Sequence, residues 1–227
     1  MNKLIVALGL MAVGLPAFAQ LPAGVVPITS EPHHGTRFQN GQVRIIDARV
    51  PKGGVTLFHE HRHDGFFVFL SAEGFVNEPF DGKATTPLLS TGAVQFIPAA
   101  KPYIHRVGAA GSRDVYVSAV ELLSPAGARS KQAEERFPPF EIAMQNARGR
   151  VYRLKLGPGD ATDAFTRPAG TAIFAITAGQ IAETSNGKPI RTWDLTPGAF
   201  RWADSPEELT IRNVGPTTVE LVEIEVL

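Results

Sequence analysis

The sequence predicts an all-β protein that contains two tandem repeats. Its 22 glycines and 18 prolines make 40 of 227 residues, well above the usual share of about 12%, and so indicate many tight turns. Runs rich in β-branched residues recur between these turns, at the spacing of about 8–12 residues that is typical of barrels and sandwiches. When the sequence is shifted by 106 residues, Arg44 aligns with Arg150 and Gly92 with Gly198. These observations together predict two β-domains in one chain.

The first nineteen residues have the pattern of an export signal. Lys3 precedes an apolar run of 12 residues at positions 4–15, and Ala17-Phe18-Ala19 forms an A-x-A cleavage site before Gln20. The apolar run is shorter than the roughly 20 residues that span a membrane. We therefore expect a signal peptide over residues 1–19 and a periplasmic or secreted mature protein that is free of the membrane, with an uncleaved anchor as the alternative.

The mature chain divides at a charged and proline-rich segment. Residues 129–136 read RSKQAEER and are followed by two prolines, which predicts a solvated linker over residues 126–140. The linker separates an N-terminal domain at 27–125 from a C-terminal domain at 141–227, each near the common domain size of about 100 residues. The predicted strands include residues 43–50, 66–70, 94–98 and 115–123 in the first domain, and residues 173–177 and 218–227 in the second.

Composition excludes several classes of function. Lys plus Arg and Asp plus Glu number 22 each, so the zero net charge offers no electrostatic attraction to nucleic acid or to an anionic membrane. The absence of cysteine excludes disulfides, thiolate metal sites and cysteine nucleophiles. The chain also lacks the G-x-S-x-G, P-loop and dinucleotide motifs. We expect a small-molecule ligand or substrate, and a monomer or homodimer.

All histidines lie in the first domain, and three of them alternate along the chain. His59, His61 and His63 lie at positions i, i+2 and i+4, which face the same side of an extended strand. His105 follows on a later segment, and His33 and His34 precede the first long strand. Because neutral imidazole is a common ligand of transition metals, this pattern predicts a mononuclear metal site. A polar loop that is merely rich in histidine is the alternative.

Two segments resemble the sequence motifs of the cupin superfamily. Residues 53–74 read GGVTLFHEHRHDGFFVFLSAEG and match a glycine, five residues and H-x-H, followed by a strand and a glycine. Residues 92–105 read GAVQFIPAAKPYIH and match a glycine, five residues, a proline and a later histidine. The resemblance implies small antiparallel barrels of jelly-roll type, and the repeat implies a bicupin. Within the superfamily the chain resembles an exported, functionally uncharacterised bacterial branch.

The resemblance also implies a set of metal ligands. It assigns His59, His61 and His105 to the metal, with a divalent transition metal as cofactor: Fe2+ is favoured, and Zn2+, Mn2+ and Ni2+ are alternatives. Cupins usually add a Glu that three or four intervening residues separate from H-x-H, but the corresponding positions hold Gly65 and Phe66. We therefore expect a neutral three-histidine site, similar to those of thiol dioxygenases and some diketone-cleaving dioxygenases. His63 and Asp64 are candidates for an additional ligand.

Other residues near the motifs are weaker candidates. His33 and His34 are candidates for acid–base or supporting roles at the mouth of the site, Tyr103 for steadying a bound oxygen species, and Arg106 for binding a carboxylate, but exposed positions without function explain them as well. Phe66, Phe67, Phe69 and Phe75 either line a substrate cavity or form the barrel core.

The second domain keeps none of the three expected ligands. An offset of 106 residues places Phe165, Arg167 and Ile211 at the positions of His59, His61 and His105. We therefore expect a single metal site per chain and either a stabilising duplicate or a partner barrel that shapes the active one.

The sequence thus predicts an exported metalloenzyme of dioxygenase type that acts on a small organic molecule. The alternatives are a metal-dependent isomerase, lyase or hydrolase, and a non-catalytic periplasmic module that binds a small ligand or metal. Because histidine binds metal only as neutral imidazole, we expect metal affinity to fall as the pH drops through about 6.5.

Overall fold

The computed structural model describes residues 21–125 and 135–227, and these residues fold almost entirely as β-strands arranged in two barrels. The all-β prediction with two tandem jelly-roll barrels is therefore confirmed. The predicted signal peptide and most of the predicted linker lie outside the described residues. Within the described part of the chain, no helix is long and apolar enough to cross a membrane.

The first barrel consists of two facing sheets. A five-stranded sheet has the order β2-β3-β9-β5-β7, and a four-stranded sheet has the order β1-β4-β8-β6. A short 3-10 turn at Ile28–Ser30 follows β1. The strands are β1 Val25–Pro27, β2 His34–Gln39, β3 Val43–Val50, β4 Phe58–His61, β5 Gly65–Ser71, β6 Phe75–Pro79, β7 Val94–Ile97, β8 Tyr103–Ala109 and β9 Val115–Leu122.

The second barrel repeats this arrangement. Its sheets have the orders β10-β11-β18-β13-β16 and β12-β17-β14-β15. The strands are β10 Phe140–Asn146, β11 Gly149–Leu156, β12 Phe165–Arg167, β13 Thr171–Ala175, β14 Gly179–Ser185, β15 Lys188–Leu195, β16 Phe200–Ala203, β17 Glu207–Asn213 and β18 Val219–Val226.

The offset between the two barrels changes partway along the chain. Strands β3 and β11 start 106 residues apart, as do β7 and β16, but β9 and β18 start 104 residues apart. The change arises after β7, because residues 98–102 separate β7 from β8 whereas only residues 204–206 separate β16 from β17. A shift of two residues preserves the inward or outward direction of every side chain in a strand.

The two barrels share an apolar core as well as having one each. Strand β5 is buried along nearly all its length, so its alternate side chains serve two different cores. Phe66 and Val68 pack against Phe174 and Ile224 of the second barrel, whereas Phe67 and Phe69 point into the first barrel. The five-stranded sheets of the two barrels therefore pack face to face. This leaves the four-stranded sheets on the outside, and one of them carries the H-x-H motif.

Candidate metal centre

Three histidines meet inside the first barrel. Strands β4 and β8 are antiparallel neighbours with His59 opposite His105, and His61 points to the same side as His59 because side chains alternate along a strand. The three residues are 0%, 3% and 5% exposed. One ring nitrogen from each lies within 4.8 Å of the others. The structure thus brings together the three ligands implied by the cupin motifs.

Hydrogen bonds orient two of the rings. Nδ1 of His59 donates to the carbonyl oxygen of Leu57 at 3.0 Å, and Nδ1 of His105 donates to Oδ1 of Asn77 at 2.6 Å. When Nδ1 carries the proton, Nε2 presents a lone pair, as in most metal-bound histidines. The backbone and Asn77 therefore set these two imidazoles in the form that binds a metal.

The spacing of the nitrogens fits a transition metal. Nε2 of His61 lies 3.0 Å from Nε2 of His105. Two metal–nitrogen bonds of about 2.0–2.1 Å that meet at a right angle separate their nitrogens by about 3 Å. Nε2 of His59 is buried without a hydrogen-bond partner, which costs about 1–3 kcal/mol unless a ligand satisfies the atom. Both observations fit a site that would hold a metal ion between the rings.

Burial keeps the three imidazoles neutral. Desolvation, reinforced by the charge of His34, lowers the pKa of His59 to about 4. Desolvation and the neighbouring imidazoles also lower the pKa values of His61 and His105 well below 6.5. Protons therefore compete with a metal only at a pH lower than the value of about 6.5 that the sequence predicts. That value is the pKa of a histidine in water.

The site contains no acidic ligand. Among the described residues, the group that could hold a metal consists of the three histidines alone. The ring of Phe67 takes the neighbouring space, with its centroid 5.3 Å from that of His61. Gly65 makes room for this ring, because a Cβ atom at position 65 would lie only 3.1 Å from it. An aromatic wall thus adjoins the histidines on the strand where cupins usually carry their glutamate.

The two candidates for an additional ligand lie elsewhere. Asp64 forms an ion pair with Arg148 of the second barrel at 2.8 Å and accepts a hydrogen bond from the backbone of Ala99 at 2.7 Å. Its carboxylate joins the two barrels, so the prediction of Asp64 as a ligand is wrong. His63 is half-buried in the turn after β4 and is not part of the histidine group.

A fourth histidine lies beside the group and is held by a buried glutamate. The ring centroid of His34 is 4.6 Å from that of His59, and its Nδ1 is bonded to the carboxylate of Glu31. Glu31 also accepts a hydrogen bond from the backbone of Leu57 at 3.1 Å, the residue that orients His59. Burial alone would raise the pKa of Glu31, but the bond and charge of His34 outweigh it and lower the pKa.

The structure separates the remaining candidates. His34 lines both the cavity and an outer groove beside Asp47 and Arg49, whereas His33 lines the outer groove alone. No local sequence pattern identifies Glu31, which is close to the site only because the segment before β2 folds over it.

Tyr103 and Arg106 face opposite sides of β8. The ring of Tyr103 lies 4.7 Å from that of His105, and its hydroxyl accepts a hydrogen bond from the amide of Asn77 at 2.9 Å. Arg106 instead forms a two-pronged ion pair with Glu78 at 2.8 and 2.9 Å. That pair lies on the outer face, which agrees with the surface alternative for Arg106 and not with carboxylate binding in the site.

A cavity of about 190 Å³ adjoins the histidine group. Most of its walls are apolar side chains of the barrel interior, and Phe67, Phe69 and Phe75 are among them, whereas Phe66 belongs to the core between the barrels. Besides the histidine group, the polar residues that line the cavity are His34, Asn77, Thr85, Gln95 and Tyr103.

The second barrel has different residues at the equivalent positions. In the first barrel Thr56 and Val107 exchange two hydrogen bonds, and Thr162 and Ile211 exchange the same two in the second. Ile211 therefore corresponds to Val107, not to His105 as a constant offset predicts. On β17, Leu209 lies opposite Phe165, just as His105 lies opposite His59 in the first barrel.

Arg167 fills the interior of the second barrel where His61 stands in the first. It is fully buried and donates to Glu223 at 2.7 Å, Glu207 at 2.7 Å and Glu183 at 3.1 Å. Phe165 packs against Phe140 with ring centroids 4.7 Å apart. Among the described residues, this barrel contributes no group that could hold a metal.

Comparisons with known proteins agree with this architecture. No family model and no curated protein matches the sequence. Among solved structures, the chain is similar to AerE from Microcystis aeruginosa, with 15% identity, a TM-score of 0.64 and coverage of 90% of this chain and 98% of that one. It is also similar to a Cupin 2 conserved barrel domain protein from Leptotrichia buccalis, with 12% identity, a TM-score of 0.52 and coverage of 86% and 88%.

A third similar structure is a variant of salicylate 1,2-dioxygenase from Pseudoaminobacter salicylatoxidans in complex with gentisate. The identity is 11%, the TM-score is 0.55, and the coverage is 81% of this chain and 68% of that one. Identities this low establish the fold alone. The chain accordingly has the cupin fold in a bicupin arrangement.

Proposed function

We propose that this protein is an exported metal-binding bicupin and a mononuclear metalloenzyme of dioxygenase type that acts on a small organic substrate. The observation that carries the proposal is the group of three buried, neutral imidazoles, with ligand nitrogens within 4.8 Å of one another beside an apolar cavity. The similarity of fold to a dioxygenase supports it. Fe2+ is the favoured metal, with Zn2+, Mn2+ and Ni2+ as alternatives.

Each part of the site has a role in this proposal. His59, His61 and His105 hold the metal, which when bound activates oxygen or polarises a substrate oxygen. The carbonyl of Leu57 fixes the orientation of the His59 ring, and Asn77 fixes that of the His105 ring. The apolar walls exclude water from the substrate, and His34, fixed by Glu31, presents a hydrogen-bonding group to the cavity.

Oxygen consumption tests the reaction class. The full mature chain, loaded anaerobically with Fe2+, is mixed with oxygenated buffer and a panel of small phenols, diketones and thiols, and dissolved oxygen is followed with an electrode. We expect substrate-dependent uptake that is absent when His59, His61 and His105 are all replaced by alanine. Uptake by the triple variant at the wild-type rate, at equal protein, would contradict a role for this site.

A metal-dependent isomerase or lyase is the second candidate, because the Glu31–His34 pair beside the group suits proton transfer. Such an enzyme turns over its substrate without consuming oxygen and works with Zn2+. If the metal-replete protein binds a ligand but does not convert it, aerobically or anaerobically, the protein is a binding module.

Export is tested by the N-terminus of the mature protein. We expect it to begin at Gln20, because small residues at 17 and 19 suit signal peptidase. Intact-mass analysis of the periplasmic and culture fractions measures this directly. An exported protein that retains Met1 would rule out cleavage.

A further inference from the structure

We infer that the cavity of the first barrel accepts a small, uncharged and mostly apolar molecule about the size of a single ring, and that its walls exclude organic acids. The inference rests on the proposed function in taking this molecule to be the substrate. Three features of the cavity carry it: the chemistry of its walls, the position of the nearby charges and its size.

The walls are largely hydrocarbon. Phe67, Phe69, Phe75, Val107 and Val117 line the cavity and are all buried. A ligand gains roughly 25 cal/mol for each Å² of apolar surface that it buries against such side chains. The polar lining residues Thr85 and Gln95 are exposed and therefore lie at the solvent side of the cavity. The interior thus favours an apolar body, with polar atoms near the histidines or at the mouth.

Among the described residues that line the cavity there is no lysine and no arginine. Nearby arginines are engaged by carboxylates elsewhere: Arg106 with Glu78 on the outer face, and Arg148 with Asp64 between the barrels. A carboxylate that leaves water without a partner is strongly disfavoured.

A buried carboxylate lies close to the cavity. Glu31 is 2% exposed and bonds to His34, which lines the cavity. His34 therefore already has a carboxylate partner, and an acidic ligand would have to compete with Glu31 for it.

The volume limits the size of the ligand. An engineered apolar cavity of about 150 Å³ in another protein holds benzene, and this cavity is somewhat larger at about 190 Å³. A single ring with one or two oxygen substituents, or an open chain of similar bulk, fits this space. Fused rings and peptides do not fit without rearrangement of the walls.

Phenol and benzoate form a matched pair for the test, because both carry one ring but only benzoate is charged at pH 7.5. We would measure their binding to the full mature chain by calorimetry, before and after the metal is removed with a chelator. The metal-free measurement reports on the walls alone, since a bound cation itself attracts anions. Metal content is determined on the same samples, so a failure of the metal site is seen separately from a failure of this inference.

One variant adds the missing cation. Gln95→Arg introduces a guanidinium at the mouth, and Gln95→Leu is its uncharged control. Position 95 is exposed on the edge strand β7, so both variants should fold. We expect metal-free wild type to bind phenol at least about tenfold more tightly than benzoate. Gln95→Arg should reduce the ratio of the benzoate dissociation constant to the phenol dissociation constant, and Gln95→Leu should leave that ratio unchanged.

Three results would overturn the inference. These are equal or tighter binding of benzoate by the metal-free wild type, no binding of phenol at millimolar concentration, and an unchanged ratio in a folded Gln95→Arg variant.

Discussion

The two barrels share a fold, but one interior contains candidate metal ligands and the other contains paired charges. Apart from β1 and β15 at the sheet edges, each pairs equivalent strands in the same order, and both repeat the same threonine–backbone exchange. The first leaves His59 with a buried nitrogen that lacks a partner, whereas the second surrounds the buried Arg167 with three glutamates. The fold of the barrel therefore does not by itself determine the chemistry of the interior. Replacement of a few inward-facing residues converts a ligand site into a self-contained ion cluster.

One pair of equivalent residues shows this conversion most directly. Asn77 on β6 and Glu183 on β14 hold the same place in their sheets, opposite Val107 and Ile211. Asn77 orients His105, whereas Glu183 forms an ion pair with Arg167. A neutral amide suits a site that must receive a cation, and a carboxylate suits a site in which the cation is already part of the protein.

The mouths of the two barrels differ as well. In the second barrel β14 and β15 pair along their length and close the edge. In the first barrel the segment that follows β6 makes only the Asn77–Thr85 bridge among the described pairings, and Thr85 and Pro87 line the cavity. Pro87 has no N–H to donate to a ladder. The first barrel therefore keeps an accessible interior.

The largest expected effect is on metal content. His59→Ala, His61→Ala and His105→Ala should each reduce bound metal from one ion per chain to nearly none, because each removes one of three ligands. Elemental analysis of untagged protein in one buffer measures this. Added metal should stabilise the wild type by about 2.7 kcal/mol when free metal is 100 times the dissociation constant, and the triple variant should lose this shift.

Phe165→Ala is the matched control in the second barrel. It should leave one metal per chain while costing up to about 3–5 kcal/mol of stability, because its ring packs against Phe140. Two metals per wild-type chain, or unchanged content in the triple variant, would show that the site lies elsewhere.

The next effect is on the stability of the second barrel. Arg167→Met should lower the free energy of unfolding, because it removes the arginine that Glu183, Glu207 and Glu223 share. Each glutamate keeps a second arginine partner, so we expect a loss smaller than the roughly 3–5 kcal/mol that an uncompensated buried charge costs. Urea denaturation followed by tryptophan fluorescence reports on this barrel, since both tryptophans, Trp193 and Trp202, belong to it. Metal content should stay at one per chain. A free energy of unfolding equal to that of the wild type would mean that Arg167 makes no net contribution to stability.

Acid should act on the same cluster. Burial alone would raise the pKa of Glu223, but Arg167 and Arg136 outweigh it and lower the pKa from 4.5 to about 2. Because the carboxylate loses protons more readily in the folded state, its contribution of about 3 kcal/mol is present above pH 4.5 and is lost as the pH falls toward 2. Urea midpoints measured between pH 5 and 2 should show this decline, and Arg167→Met should flatten it. An equally steep decline in the variant would assign the acid sensitivity to other groups.

The smallest effect concerns the orientation of one ligand. Asn77→Leu removes the acceptor from Nδ1 of His105 and should weaken metal binding by about 10–100-fold without abolishing it, as for other residues that hold metal ligands. Competition with a chelator of known affinity measures the change. The neighbouring Glu78→Gln, which points outward to Arg106, is the control and should bind metal like the wild type.

Much of this protein follows from local sequence periodicity. Alternation along a strand is set by the backbone itself, so His59 and His61 predict a shared face, and the glycine-rich turns and the repeat predict two β-domains. The same reasoning indicates that the second domain lacks the ligands, because a slip of two residues exchanges Ile211 for Leu209 without turning either side chain outward.

Tertiary structure alone decided the rest. The true register of the repeat depends on the length of the loop after β7, and sequence identity at a constant offset conceals it. Glu31 and Asn77 reach the histidines through folding of distant segments, and Asp64 finds Arg148 across the junction of the barrels. The low pKa of His59 likewise arises from burial. Desolvation and hydrogen bonding depend on which atoms surround a group in space, and that arrangement is set only when the sheets pack.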